Sequence, residues 1–437
     1  MKVAIIGAGL AGCEAAYQLL KRGVEVDLYE MRPHKLTPAH HGGGFAELVC
    51  SNSFRSDRLE NGAGLLKAEL RELDSIIMKV ADQCSVPAGG ALAVDRDTFS
   101  QKVKETLFSF ENLNFINEEV VSIPENVPVI IAAGPLCSDA LTDAILKITG
   151  EEYCHFYDAA APIITKESIN MDVAFFASRY GKGEADYINC PLNEEQYKTF
   201  VNELVNAETA HVHGFEGQVF EGCMPIEVMA SRGEQTLAFG PLKPVGIIDP
   251  KTNKEPYACV QLRRDDAKDT LCNIVGFQTH LKFGEQKRVF SMIPGLENCE
   301  IVRYGVMHRN TFICSPKLLD NTYALKQNPN IAFAGQITGV EGYIESTASG
   351  FLAAISMFQR LSGKDVTDFT DLTAIGALGY YVSSGSGNNF QPMNINFGII
   401  ASPEMRIKGG KQARYAYVAQ RALNKINELK EDILYGI

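Results

Sequence analysis

MKVAIIGAGLAGCEAAYQLLKRGVEVDLYE, residues 1–30, decides the fold. Residues 2–6 (KVAII) read as a short, fully apolar strand, the kind found in a parallel sheet covered on both faces. Gly7, Gly9 and Gly12 follow in a G-x-G-x-x-G spacing, then a helical pattern from Leu10 to Lys21, then a second strand ending at Glu30. Each part has a mechanical role in holding a dinucleotide. Gly7 permits the tight turn, Gly9 lets the backbone approach a pyrophosphate, and Gly12 lets helix and strand pack closely. The helix start offers unpaired N–H groups to phosphate, and Glu30 can accept from ribose hydroxyls. An acid at that position suits an unphosphorylated ribose, as in FAD or NAD. Cys13, inside the helix, reads as a small packing residue. The opening apolar stretch runs into glycines and Glu14 rather than a small-residue cleavage site, so it reads as a buried strand and not a secretory leader.

Two later segments favour FAD. Residues 129–135 (VIIAAGP) look like an apolar strand ending in a turn at Gly134 that returns to the cofactor. Residues 330–354 (NIAFAGQITGVEGYIESTASGFLAA) repeat the order strand, glycine-rich turn (Gly335, Gly339, Gly342) and helix. That second helix start would point its dipole at the flavin end of a long cofactor. Such a split frame resembles the glutathione-reductase-like flavoproteins, whose N- and C-terminal parts close around one FAD. An ordinary crossover unit would give a similar pattern. The glycines near 62, 181 and 385 follow no buried strand, so no second nucleotide domain is expected.

The expected fold class is α/β. A Rossmann-like FAD-binding domain is formed by residues 1–150 and 325–437, with an inserted α+β substrate domain at 151–324. Within the insert, APIITKE, VAFFAS and QTLAFGP read as strands and LNEEQYKTFVNELVNAE as an amphipathic helix. A charged terminal helix is expected over GKQARYAYVAQRALNKINELKED.

Composition narrows the function. The chain has 437 residues, 46% hydrophobic, with no apolar run near the roughly 20 residues that span a bilayer. Eleven cysteines without a CxxC pair argue against a disulfide framework or zinc site and fit a reducing cytoplasm. The net charge of −12 speaks against a general electrostatic grip on nucleic acid, although basic residues gather at 282–288, 303–309 and 406–421. Two cysteines have unusual surroundings. Cys50 lies in FAELVCSNSFRSD, where Ser51, Asn52 and Ser53 could cap a helix and Arg55 is near; Cys223 follows Gly222 and precedes Pro225. A helix start or a cation lowers a thiol pKa and so makes a nucleophile.

These motifs together resemble one family over nearly the whole chain: the folate- and FAD-dependent tRNA (uracil-5-)-methyltransferases. The matching stretches are GAGLAGCEAA, PAHH, FAELVCSNSFRS, ENGAGLLKAEL, VPAGGALAVDRDTFS, EGCMPIEVMA, FGPLKPVGI, NIVGFQTHLKFGEQKRVFSMIPGLEN, RYGVMHRNTFICSPKLL, FAGQITGVEGYIESTASG and NFQPMNINFG. The departures are the GGG after His41 and the GSGNN stretch near 385. The resemblance implies methylation of the T-loop uridine of tRNA. Methylenetetrahydrofolate would supply the carbon, and flavin would be reduced by NADH or NADPH. It also implies that Cys50 and Cys223 share the roles of nucleophile and general base, with Cys223 favoured as nucleophile because it belongs to the substrate domain. An RNA backbone would then rest on Lys282, Lys287, Arg288, Arg309 and Lys411. No membrane and no obligate protein partner are expected. Four rivals remain at this point: a related class that modifies the tRNA wobble uridine but carries a long helical C-terminal extension, the same chemistry on ribosomal RNA, a flavin-dependent oxidoreductase of small molecules, and a non-catalytic RNA-binding protein that keeps FAD structurally, which the acidic net charge disfavours.

Overall fold

The strand β1 (Lys2–Ile6) is buried beyond its first residue and pairs in parallel with β2 (Glu25–Tyr29) on one side and Val129–Ile131 on the other, setting Ala4 opposite Asp27 and Val129. The computed structural model describes residues 1–40, 42–150, 154–159, 161–181, 184–210, 224–266, 268–384 and 390–434. Its first sheet has six strands in the order Ala324–Leu325, Asn328–Phe333, Val129–Ile131, β1, β2 and Leu113–Ile116. All neighbours are parallel except the hairpin at 324–333. Chain from both ends of the sequence therefore builds one sheet, as the split frame requires.

The helix α1 (Leu10–Leu20) is buried at all eleven positions. Such a helix needs small residues where other backbone crosses it. A Cβ on Gly12 would lie 1.8 Å from the Gly7 carbonyl oxygen, and one on Gly350, in the helix Tyr343–Leu361, 2.2 Å from the Ala11 carbonyl oxygen. The two helices thus pack backbone to backbone beneath the sheet's glycine turns.

Burying α1 on every side also buries its polar residues. The Glu14 carboxylate accepts from Ser75 Oγ at 2.6 Å and Gln18 Nε2 at 2.8 Å, and burial pushes its carboxyl up to about 7. On the neighbouring helix α2 (Gly62–Glu72), started by an Asn61 cap, Glu69 accepts the first N–H groups of the helix Ala374–Ser383, from Ala374 at 2.7 Å and Ile375 at 2.9 Å. Burial pushes Glu69 up to about 8, although both amide bonds favour its anion. Folded-state values above the ordinary 4.5 mean that these groups take up protons on folding. The stability they confer is whole below about pH 4.5 and is lost as pH rises through 7 and 8. The thermal midpoint should therefore fall between about pH 5 and about pH 9, and Glu69→Gln should flatten the upper part of that decline. A midpoint that rises over this window in the wild type would contradict the assignment.

The second body has its own core, built around Ile164, Ile188, Phe200, Phe277 and Phe290. Its six-stranded antiparallel sheet runs Phe175–Ala177, Tyr187–Leu192, Ala258–Arg264, Leu271–Ile274, Ile163–Thr165, Ile301–Arg303. The helix Glu194–Asn206 lies against it, opened by an Asn193–Gln196 capping box. Three expectations need correction. QTLAFGP is not a strand: Thr236–Phe239 forms one helical turn, which buries Leu237 while Phe239 stays exposed. Ser51, Asn52 and Ser53 cap no helix, because the chain goes directly into the strand β3 (Ser53–Ser56). Finally, Ile313, Leu318, Leu319 and Tyr323 already pack into the first core, so the return from the insert precedes residue 324. Between the bodies runs an antiparallel ribbon of Cys154–Ala159 with Met307–Phe312.

Candidate active site

A cavity opens along the C-terminal ends of β1, β2 and Val129–Ile131. Its lining includes Gly7, Gly9, Glu30, Arg32, Cys50, Gly134, Gly335 and Tyr343. Position follows from topology, since ligands of open parallel sheets sit beyond the carboxyl ends of the strands. The floor suits a dinucleotide. Gly9, the cap of α1, carries no side-chain cap, and a Cβ there would meet nothing within 4 Å; the same holds at Gly134. A side chain at either position would project into open space beside a helix start, where a pyrophosphate needs bare backbone. The residues present therefore fit FAD.

Among the expected cofactor residues, Gly7, Gly9, Glu30, Gly134 and Gly335 line the cavity together. Gly12, Gly339 and Gly342 are not among its lining residues, and each stands where a Cβ would meet protein atoms. Gly12 seats α1 on the Gly7 turn. Gly339 (φ +84°) and Gly342 (φ +110°) shape the turn before the helix Tyr343–Leu361, where a Cβ would strike the Phe390 ring or the Glu345 carboxylate.

Glu30 is placed as expected but is not idle. One of its oxygens accepts from the Ala8 N–H (2.9 Å) and Arg32 Nη2 (2.8 Å), the other from Arg32 N and Nε (both 2.9 Å). Burial alone would raise its pKa, but the Arg32 fork and the amides outweigh it and hold the carboxyl below its usual range. Arg32 in turn gives Nη1 to Glu47 at 3.0 Å. Ribose hydroxyls reaching Glu30 must share it with Arg32. No periodicity marks Arg32; an arginine two places after the strand-end acid was its only signal.

Cys50 is half-buried at the wall of the same cavity. Its segment is fixed from several sides. The Tyr343 hydroxyl oxygen accepts the N–H groups of Cys50 (2.8 Å) and Ser51 (3.0 Å). Arg263 Nη2 donates to Ser51 Oγ at 2.7 Å, and Asn52 Nδ2 donates to the carbonyls of Val94 and Arg264, each at 3.1 Å. Buried Lys67 donates to the carbonyls of Phe54 (2.8 Å), Arg55 (3.2 Å) and Ser56 (2.6 Å), and burial lowers its pKa to about 8. Arg55 holds a left-handed φ of +63° and pairs with buried Glu345. Lys67 and Tyr343 lie in two of the quoted stretches and Arg263 in none, but no local spacing ties any of the three to Cys50.

Cys223 lies outside the described residues, as does the side chain of Arg309. Cys13 is a packing thiol: it is fully buried, its Sγ donates to the Ala8 carbonyl at 3.2 Å, and burial raises its pKa strongly. Of the expected RNA contacts, Lys282 pairs with Glu208 and Arg288 with Glu203 and Glu285, so their charges are matched locally. Lys287 is exposed. Lys411 stands over the Tyr415 ring at 5.3 Å, in a surface depression shared with Arg406, Lys408 and Arg414. None of those four cations forms an ion pair with another described residue.

Comparison with known proteins agrees with this geometry. The family model for glucose inhibited division protein A matches residues 2–365. The chain is 60% identical over 425 residues to the methylenetetrahydrofolate–tRNA-(uracil-5-)-methyltransferase TrmFO of Acetivibrio thermocellus, covering 97% of each. It is 59% identical over 432 residues to that of Listeria monocytogenes, covering 99% of each. The solved structure of Aquifex aeolicus GidA superposes with a TM-score of 0.71 over 98% of this chain and 73% of that one, and at 17% identity it speaks for the fold alone. The family model over residues 2–365 and the nearly full-length identity show one thing together: the chain belongs to the glucose inhibited division protein A family, beside the members that carry the name TrmFO.

Proposed function

We propose that this protein transfers the one-carbon unit of methylenetetrahydrofolate to carbon 5 of the T-loop uridine of tRNA, with NADH or NADPH as reductant. The observation that carries the proposal is Cys50, fixed by its own backbone on the wall of a cavity whose floor suits FAD. Carbon 5 of uracil is a poor nucleophile until a thiolate adds at carbon 6, which moves an electron pair onto the ring carbonyl as an enolate. Carbon 5 then bonds to the one-carbon unit as one of its two carbon–nitrogen bonds to folate opens. The second gives way to hydride, so that both electron pairs stay on the folate nitrogens and tetrahydrofolate leaves. A base removes the carbon 5 proton, and the re-formed ring double bond expels the thiolate. Bound FAD would supply hydride relay from the nicotinamide, so that methylene becomes methyl. Cys223 is assigned as the thiolate that adds, and Cys50 as the base. Tyr343, Lys67 and Arg263 keep the Cys50 backbone from shifting, as proton transfer at hydrogen-bond range demands.

Glycines 7, 9, 134 and 335 would face the cofactor, and Glu30 its ribose. The RNA backbone is assigned to the unpaired cations Lys411 and Lys287 rather than to Lys282 and Arg288, whose charge is already matched. No helix among the described residues is long and apolar enough to cross a membrane.

The test is incubation with unmodified tRNA transcript, methylenetetrahydrofolate labelled in its methylene carbon, and NADH or NADPH. Label in T-loop 5-methyluridine is the expected result. Label in ribosomal RNA but not tRNA would move the substrate, and nicotinamide consumption with no labelled RNA would overturn the proposal.

A further inference from the structure

Behind the Cys50 segment, where the second body meets the first, three arginines gather around one acid. Arg96 donates to the Leu48 carbonyl at 2.5 Å and to Asp265 at 3.1 Å. Arg263, 8% exposed, reaches Ser51 Oγ through Nη2, while its buried Nε has no partner. Arg303, half-buried at the end of the strand Ile301–Arg303, gives its guanidinium to no described residue. Asp265, 4% exposed, feels all three cations. Glu47 also acts on Arg303, but its carboxylate is already held by Arg32, so among the described residues Asp265 is the one acid that faces all three guanidinium groups beside the segment that carries Cys50.

Like charges that are partly desolvated repel, and an unpaired buried donor costs free energy. Burial and the neighbouring Arg96 indeed work against the charge of both Arg263 and Arg303. A chain that only needed to fold would be better served by glutamine or methionine at 303. Guanidinium forks match phosphate and carboxylate oxygens in pairs.

We propose that Arg96, Arg263 and Arg303 form an oxyanion-binding subsite next to Cys50, completed by a substrate phosphate or carboxylate. The proposal rests on the functional reading above, which offers two sources of that chemistry: a backbone phosphate flanking the target uridine, or a carboxylate of the folate tail. Arg303 is the group free to turn toward the ligand, while Arg96 and Arg263 fix the positive field from the wall.

Arg303→Gln separates the cases. If RNA supplies the anion, affinity for tRNA transcript falls on the order of tenfold, and the slope of log Kd against log salt shrinks by about one. If folate supplies it, KM for methylenetetrahydrofolate rises on the order of tenfold while RNA binding holds. Arg303→Lys, which keeps charge but loses the fork, should fall between variant and wild type. One arm stands apart from the functional reading: sulfate, compared with chloride at equal ionic strength, should raise the wild-type thermal midpoint more than that of Arg303→Gln. Equal sulfate responses, with neither Kd nor KM changed, would overturn the subsite, whereas failure of the wild type to label RNA would overturn the functional reading instead.

Discussion

Cys50→Ala should abolish most methyl transfer, lowering kcat by roughly 10² to 10⁴, while FAD stays bound and RNA affinity stays near wild type. The separation follows from where the thiol stands. Cys50 reaches the cavity wall through its side chain, whereas the fold holds it through its backbone, by way of Tyr343 and the bonds at Ser51 and Asn52. Replacing Sγ by hydrogen leaves each of those bonds in place. Tyr343→Phe is the complementary case: it keeps the ring and removes the acceptor for two amide N–H groups. Each donor left without a partner costs about 1–3 kcal/mol, so the segment should shift and kcat should fall on the order of tenfold with KM little changed. Wild-type turnover in Cys50→Ala would remove the cysteine from the mechanism. A Tyr343→Phe enzyme with altered KM and intact kcat would place the phenol against substrate instead.

The second large effect is expected from a methyl group on α1. Gly12→Ala puts a carbon 1.8 Å from the Gly7 carbonyl oxygen, and neither backbone can move without opening the turn between β1 and α1. A cost of about 3 kcal/mol or more is expected in chemical denaturation, together with loss of flavin absorbance in the purified protein. Gly9→Ala makes a sharp contrast. Its Cβ meets nothing within 4 Å, so the chain should fold with a near wild-type midpoint and yet bind FAD poorly, the methyl standing where the pyrophosphate approaches. Equal behaviour of the two variants, in either direction, would show that the division between packing glycine and cofactor glycine is wrong.

That division marks how far the sequence could be read. The frame over residues 1–30 was legible because its constraints are local: a turn, a close approach and a helix start follow one another within a few residues. Gly339 and Gly342 also stand in a glycine-rich turn after a strand, but apart from Glu345 what surrounds them comes from Phe390, Arg55 and Asn394, and no short window contains those contacts. The same limit hid the restraint on Cys50. Its position drew attention through Ser51, Asn52 and Arg55, yet the groups that fix it arrive from residues 67, 263 and 343. Polar residues near a cysteine suggested a helix cap, because a cap and a cross-body hydrogen bond draw on the same side chains. The misread turn at Thr236–Phe239 has a similar cause, since with only Leu237 buried a four-residue helix and a strand show nearly the same pattern.

A sheet drawn from both ends of the chain also sets an order of events at the ribosome. Val129–Ile131 must wait for its parallel neighbour Asn328–Phe333, about two hundred residues later, which at ordinary synthesis rates is roughly 10 to 40 s. Through that interval α1 lacks the helix Tyr343–Leu361 that packs across it, and one edge of the nascent sheet stays open. The second body waits less and ends sooner: all six of its strands lie between Ile163 and Arg303, and its longest wait, from Ile163–Thr165 to Ile301–Arg303, closes before Asn328–Phe333 is made. The middle of the protein is thus able to finish first, and the nucleotide-binding half, although it begins at the first residue, is the last part to become complete.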